Sequence, residues 1–135
     1  MLRYVLLFFL LFTVCGCQKS DDPRVHLSGQ VTWNGNPIPA GHVLLSPDAA
    51  KGNSGAQGMA AIRDGHYDTS ATGGRPAMPG SVTVTIHAFD GKSSSNDSPN
   101  GTRLFMPYDM DIEVPSGSGE FDLSIPDDVE PVPKE

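Results

Sequence analysis

The sequence predicts an all-β protein: an antiparallel β-sandwich of about seven strands that follows an N-terminal signal peptide. Short segments alternate apolar and polar residues with period two, which is typical of half-buried strands. Turn signals such as Asn34-Gly35 and Asp64-Gly65 recur between these segments. No stretch after residue 17 shows helical periodicity. Because each strand buries one face only, two sheets packed face to face are the favoured architecture.

The first half of the domain contains four predicted strands. Strand one has its inward residues at odd positions, with Gly29 as a bulge or a point of close packing: Val25, Leu27, Val31 and Trp33. Asn34-Gly35 is a hairpin signal, although Pro37 and Pro39 favour a wider turn. The next strands are predicted over residues 41–46, 56–63 and 66–70. Their inward residues are Val43, Leu45 and Tyr67.

The second half begins with the clearest strand, residues 81–89. Its inward residues alternate regularly: Val82, Val84, Ile86 and Ala88. A polar loop follows over residues 90–102, and a short edge segment is predicted over residues 104–108, where Pro107 interrupts it. The two last strands are indicated by Ile112 and Val114, and then by Phe121, Leu123 and Ile125. Residues 126–135 are acidic and proline-rich, which predicts an extended or disordered tail.

The N-terminus predicts export. Arg3 precedes an apolar run over residues 4–14, which has the length of a signal peptide and is too short to span a bilayer. The run ends at Gly16-Cys17, which resembles the lipobox of bacterial lipoproteins. The resemblance implies cleavage between Gly16 and Cys17 and lipid attachment at Cys17. It also implies an exported protein that its lipid anchors to a membrane, either the outer membrane, facing the periplasm, or the cell surface. The alternative is a plain secretory signal with an incidental cysteine.

These signals divide the chain into four parts. Residues 1–16 are the removed signal peptide, 17–24 a polar tether, 25–126 the β-sandwich domain and 127–135 the acidic tail. Both cysteines lie in the signal or at its end, Cys15 within it and Cys17 directly after it, which excludes a disulfide or a catalytic cysteine within the domain. The formal charge of −7 argues against nucleic acid as a partner.

Several short motifs occur in a distinctive order. Residues 29–38 (GQVTWNGNPI) are followed by residues 41–47 (GHVLLSP), Asp64-Gly65-His66-Tyr67 and Pro79-Gly80. This order resembles the transthyretin-like, carboxypeptidase-regulatory-like domain of many small bacterial lipoproteins, over about residues 25–125. The sequence departs from that family at Val82, where an aromatic residue is usual. The resemblance implies a prealbumin-like sandwich with no catalytic role of its own.

The sequence contains few candidate residues for catalysis, metal binding or ligand binding. Strand parity places four histidines on outward faces of four strands, without metal-ligand spacing: His26, His42, His66 and His87. An acidic series alternates with Ile112 along the first of the two last predicted strands and suits either a solvated strand face or, less well, a calcium site: Asp109, Asp111 and Glu113. There is no Gly-x-Ser-x-Gly nucleophile elbow. Trp33 is interpreted as a core residue or as a stacking platform for a sugar.

The sequence therefore predicts no catalytic residue, no metal site and no cofactor. We expect an accessory or protein-interaction domain, anchored to the membrane through its lipid, whose partner is an unknown envelope protein. The alternative is a carbohydrate- or cell-wall-binding module. The oligomeric state, the ligand and the membrane face are left open.

Overall fold

A computed structural model describes residues 21–93 and 95–133. The predicted all-β, sandwich-like fold is confirmed, since the strands form one sheet that curls around its core. In the described residues there is one helical turn, the 3-10 turn Ala49–Lys51, and no helix long and apolar enough to cross a membrane. The strands are β1 (Leu27–Trp33), β2 (Asn36–Pro37), β3 (Ala40–Pro47), β4 (Gly58–Arg63), β5 (His66–Asp68), β6 (Gly80–Phe89), β7 (Tyr108–Val114), β8 (Gly119–Glu120) and β9 (Leu123–Ile125).

The sheet has the order β2-β1-β5-β4-β3-β6-β7, and every neighbouring pair along this path is antiparallel. The C-terminal strands β8 and β9 instead pair with β1 in parallel, with Val31 opposite Leu123. Between them the backbone of Phe121 comes so close to Gly29 that a Cβ atom at Gly29 would overlap the Phe121 carbonyl. Gly29 is therefore the point of close packing that the sequence allowed for.

The turn after β1 is tighter than the sequence predicts. Trp33 pairs directly with Asn36, so the connection is the two residues Asn34 and Gly35. Their φ angles of 51° and 70° are both positive, as a type I′ hairpin requires. The expectation of a wider turn was wrong, because β2 ends at Pro37 on the sheet edge, where a missing N–H breaks no further pairing.

One core lies inside the curled sheet. The buried residues from the inner faces of β1, β3, β4, β6 and β9 form a single cluster. The inward residues predicted for the strand at 81–89 are all buried: Val82, Val84, Ile86 and Ala88. Tyr67 is also buried, and its hydroxyl donates a hydrogen bond of 2.6 Å to the carbonyl of Phe121. Burial raises the pKa of Tyr67, so this phenol stays protonated and keeps its donor.

The segment before β7 differs from prediction. The edge segment expected at residues 104–108 does not form; the strand begins at Tyr108, and Phe105 enters the core with 0% exposure. Phe105 is bridged to Pro131, and the Val132 amide donates to the Leu104 carbonyl at 2.9 Å. Residues 127–133 therefore run along the domain.

Candidate interaction face and groove

The solvent side of β4, β3, β6 and β7 forms a continuous surface, which we call the outer face. Strand alternation puts the core residues of these strands on one side and the other residues on this face. The registers then align them in rows, because His42 lies opposite Ala61 and His87, and Leu44 lies opposite Met59 and Thr85. The outer face comprises His42, Leu44, Ser46, Met59, Ala61, Arg63, Ser81, Thr83, Thr85, His87, Phe89, Asp109, Asp111 and Glu113.

Two histidines meet at the centre of the outer face. The rings of His42 and His87 are stacked, with centroids 4.4 Å apart and planes inclined by 16°. Both side chains are half-buried. Gly41 enables the close approach of β3 and β6 here, because its φ is +150° and a Cβ atom would overlap the His87 carbonyl.

This environment disfavours protonation of both imidazoles. Burial is the main cause that lowers the pKa of His42, followed by His87 and Arg103. Burial and then Arg103 lower the pKa of His87, and Asp109 opposes them. The pair is therefore held in its neutral form more strongly than a free histidine would be. Sequence spacing missed this pair because the two residues come together only through the β3–β6 register.

A groove of about 740 Å³ opens at the His42 end of the outer face. Its floor consists of outer-face residues of β3 and β4: His42, Leu44, Met59 and Ala61. Its rim consists of turns around residues 63–64, 72–73, 90–91 and 99–100. The Asp90 carboxylate holds one part of the rim in place, since it accepts hydrogen bonds from the backbone N–H groups of Lys92 and Thr102, at 2.9 and 3.0 Å. The groove thus combines three apolar side chains and one imidazole on its floor with a polar rim, and binding sites commonly mix apolar and polar groups in this way.

An acidic row lies at the far side of the outer face, on β7. Each carboxylate accepts a hydrogen bond from a hydroxyl group of β6. Ser81 donates to Glu113 at 2.9 Å, Thr83 to Asp111 at 2.8 Å and Thr85 to Asp109 at 2.6 Å. The Nζ of Lys51 lies 3.2 Å from Asp111. The hydrogen bond from Thr83, followed by that from Lys51, lowers the pKa of Asp111.

The acidic row has the geometry of a solvated strand face. Alternate residues of a strand are separated by roughly 6.6 Å, so neighbouring carboxylates of the row are poorly placed to share one calcium ion. In residues 21–93 and 95–133, no three His, Cys, Asp or Glu side chains are grouped to hold a metal ion.

Trp33 is not a fully buried core residue. Its ring packs edge-to-face on Phe105, with centroids 5.0 Å apart and planes at 64°. The side chain also borders two surface hollows, one of them formed with Arg103 and the C-terminal residues 131–133. Its Nε1 atom is buried without a hydrogen-bond partner in the described structure, so a ligand in either hollow would meet the ring and not this nitrogen.

The predicted lipid-attachment residue, Cys17, and the cleavage residue, Gly16, lie outside the described residues, as does the signal peptide 1–16. Of the predicted tether, residues 21–24 are described and all are exposed. Comparison of the chain with protein-family models, curated proteins and solved structures finds no match.

Proposed function

We propose that this chain is a lipid-anchored, non-catalytic envelope protein whose β-sandwich binds a protein partner through the outer face. The observation that carries the proposal is the composition of that face. Half-exposed apolar side chains flank the histidine pair: Leu44 and Met59 belong to the groove floor, and Phe89 follows His87 on the same face of β6. Apolar side chains next to polar and charged ones, on a surface of paired strands, are typical of surfaces that bind proteins.

The N-terminal pattern supports the anchored part of the proposal. Acylation of Cys17 would hold the domain at a membrane through several buried methylenes, each contributing about 0.8 kcal/mol. The polar tether then keeps the domain close to other membrane-bound proteins. Such confinement raises the effective concentration of a partner, so a modest affinity for the outer face is sufficient.

The motif order supports a transthyretin-like domain. Asn34-Gly35 forms the β1–β2 turn, and Asp64-Gly65 forms the turn between β4 and β5. The motif at residues 41–47 coincides with β3, and Pro79-Gly80 leads into β6. The motifs at residues 41–47 and 79–80 thus lie on or beside outer-face strands, whereas the motif at residues 29–38 lies on β1 and β2.

Membrane fractionation tests the anchor. We expect the wild-type chain to sediment with membranes and its mature N-terminus to carry acyl mass at Cys17. The Cys17→Ala variant should lack that mass and lose the lipid anchorage. A mature wild-type protein that is soluble, with Cys17 unmodified, would contradict the anchored part of the proposal.

A pull-down from detergent-solubilised membranes tests the interaction. Ala61 is exposed on the groove floor, so Ala61→Arg places a bulky cation there without disturbing the packing of the core. The matched control is Gln30→Arg, which adds the same side chain at an exposed position of β1. We expect a specific protein to be retained by wild type and Gln30→Arg and lost with Ala61→Arg. Equal retention by both variants would argue against the groove.

A glycan- or wall-binding function is the second candidate, because Trp33 borders two hollows. The chain has a single tryptophan, so its fluorescence reports on this position alone. Protection of Trp33 from acrylamide by cell-wall polysaccharide would favour this candidate. Unchanged quenching would favour the protein partner.

A further inference from the structure

We propose that the free edge of β7 accepts an extended segment of the partner as an additional strand, with basic side chains at alternate positions of that segment. The inference rests on the proposed function in one respect: the partner is a protein. It goes beyond that function in naming the edge, the backbone conformation and the charge pattern that this edge selects.

The first observation is that β7 is the last strand on its side of the sheet. It pairs with β6 alone, from Gly80 opposite Val114 to Ile86 opposite Tyr108. No described backbone or side-chain group forms a hydrogen bond with the backbone of β7 on its other edge. This leaves a seven-residue strand with a row of unused backbone donors and acceptors, which is a template for another strand.

The second observation is the distribution of side chains along that edge. The outer side of β7 carries the acidic row, and hydroxyls of β6 already orient all three of its carboxylates. The inner side carries Tyr108, Met110 and Ile112, which pack against the core yet stay partly exposed. Met106, just before the strand, is 69% exposed and is the exposed large apolar side chain of the described residues.

These two sides specify the incoming strand. Its outer residues should be Lys or Arg, because opposite charges on neighbouring strands attract and like charges repel. Its inner residues should be apolar, so that they cover Met110 and Ile112. Lys51 shows that a lysine amine can approach this row, since its Nζ lies 3.2 Å from Asp111.

The same pattern disfavours a second copy of this chain as the occupant. Two β7 strands paired about a two-fold axis would place two acidic rows on one face of the joint sheet. Carboxylates from the two chains would then be neighbours, and their repulsion is a device by which proteins protect edge strands from self-association. Charge complementarity therefore selects a basic strand from another protein.

The test uses the full-length chain in detergent micelles and a fluorescent peptide that alternates Lys and Val over about seven residues, the length of β7. Fluorescence anisotropy measures its binding. We expect saturable binding that weakens with salt, and backbone amide shifts in NMR spectra confined to β7 and its neighbours. A peptide with Glu in place of Lys should not bind.

A matched peptide separates edge pairing from simple charge attraction. The Lys-Val peptide with N-methyl groups at alternate residues keeps its charge but loses the donors needed for pairing on one edge. It should bind at least about tenfold more weakly. Equal binding of the methylated peptide would overturn the proposal, as would no binding of the unmethylated peptide at millimolar concentration.

Variants of the protein test the acidic row. Asp109→Asn, Asp111→Asn and Glu113→Gln together keep the acceptors for the β6 hydroxyls and remove the charges, so folding should be preserved. We expect this triple variant to bind the peptide about tenfold more weakly. The control is Asp127→Asn, Asp128→Asn and Glu130→Gln, which removes three charges elsewhere. Equal weakening in both would overturn the proposal, whereas loss of the natural partner in the Ala61→Arg pull-down is a separate test of the proposed function.

Discussion

The contact between His42 and His87 couples the stability of the outer face to pH. The unperturbed pKa is 6.5, and the folded protein lowers the pKa of both residues, mainly through burial. The unfolded chain therefore binds protons more readily than the folded chain as pH falls below about 6.5. The contribution to stability is complete above that value and declines as pH falls from there towards the folded pKa values.

Removal of the pair should flatten this dependence. We expect wild type to lose unfolding free energy between pH 7 and pH 5.5, and the double variant His42→Gln/His87→Gln to lose less. Denaturant unfolding at each pH measures the difference. The control is His26→Gln/His66→Gln, which removes two exposed histidines outside the pair. A control that flattens the profile as much as the pair variant would contradict this assignment.

At the element scale, the C-terminal segment completes the domain. Val129 packs against the core, and the Val132 amide donates to Leu104 at 2.9 Å. Residues 131–133 also border the hollow beside Trp33. The acidic, proline-rich composition of this segment predicted an extended or disordered tail, whereas its few apolar residues lie on the domain.

Truncation should expose the single tryptophan. We expect a chain that ends at Asp128 to show red-shifted Trp33 emission and stronger acrylamide quenching than the full chain. Its unfolding free energy should fall by roughly 1–3 kcal/mol, since apolar contacts of one to two side chains are lost. A chain that ends at Pro133 is the control and should behave as the full chain does. Unchanged quenching in the shorter chain would show that the segment does not shield Trp33.

Local patterns predicted most strands but not their partners. Alternation over residues 81–89 identified β6 and its buried side correctly, because one face of that strand packs against the core along its whole length. The same reasoning did not give the parallel pairing of β9 with β1, which depends on a connection that brings the chain back to the other edge of β1. The edge segment predicted over residues 104–108 was wrong for a similar reason: Phe105 is buried through contacts formed outside any strand.

The candidate site was only partly predictable. Parity put His42, His87 and the acidic residues of β7 on outward positions, as the structure confirms. The histidine stack and the pairing of each carboxylate with a hydroxyl depend on which residues face each other across β3, β6 and β7. Register is a property of the whole sheet, so no single segment contains that information.

At the scale of the whole molecule, charge is unevenly distributed. Nine of the acidic residues and one basic residue follow Pro107, whereas the formal charge of the entire chain is −7. The acidic row on β7 is part of this C-terminal excess, while the groove at the other side of the outer face has no acidic residue on its floor, which consists of His42, Leu44, Met59 and Ala61. The domain thus offers two chemically different margins on one face, which suits a partner that binds in one orientation.

Photocrosslinking in intact cells is the most direct test of the outer face as an interaction surface. A photoreactive amino acid is placed at position 61 on the groove floor or, for comparison, at position 30, both of which are exposed. We predict a discrete adduct with one envelope protein from position 61 and none from position 30. The same adduct from both positions, or none from position 61 in a membrane-anchored protein, would contradict the proposal that this face binds a protein partner.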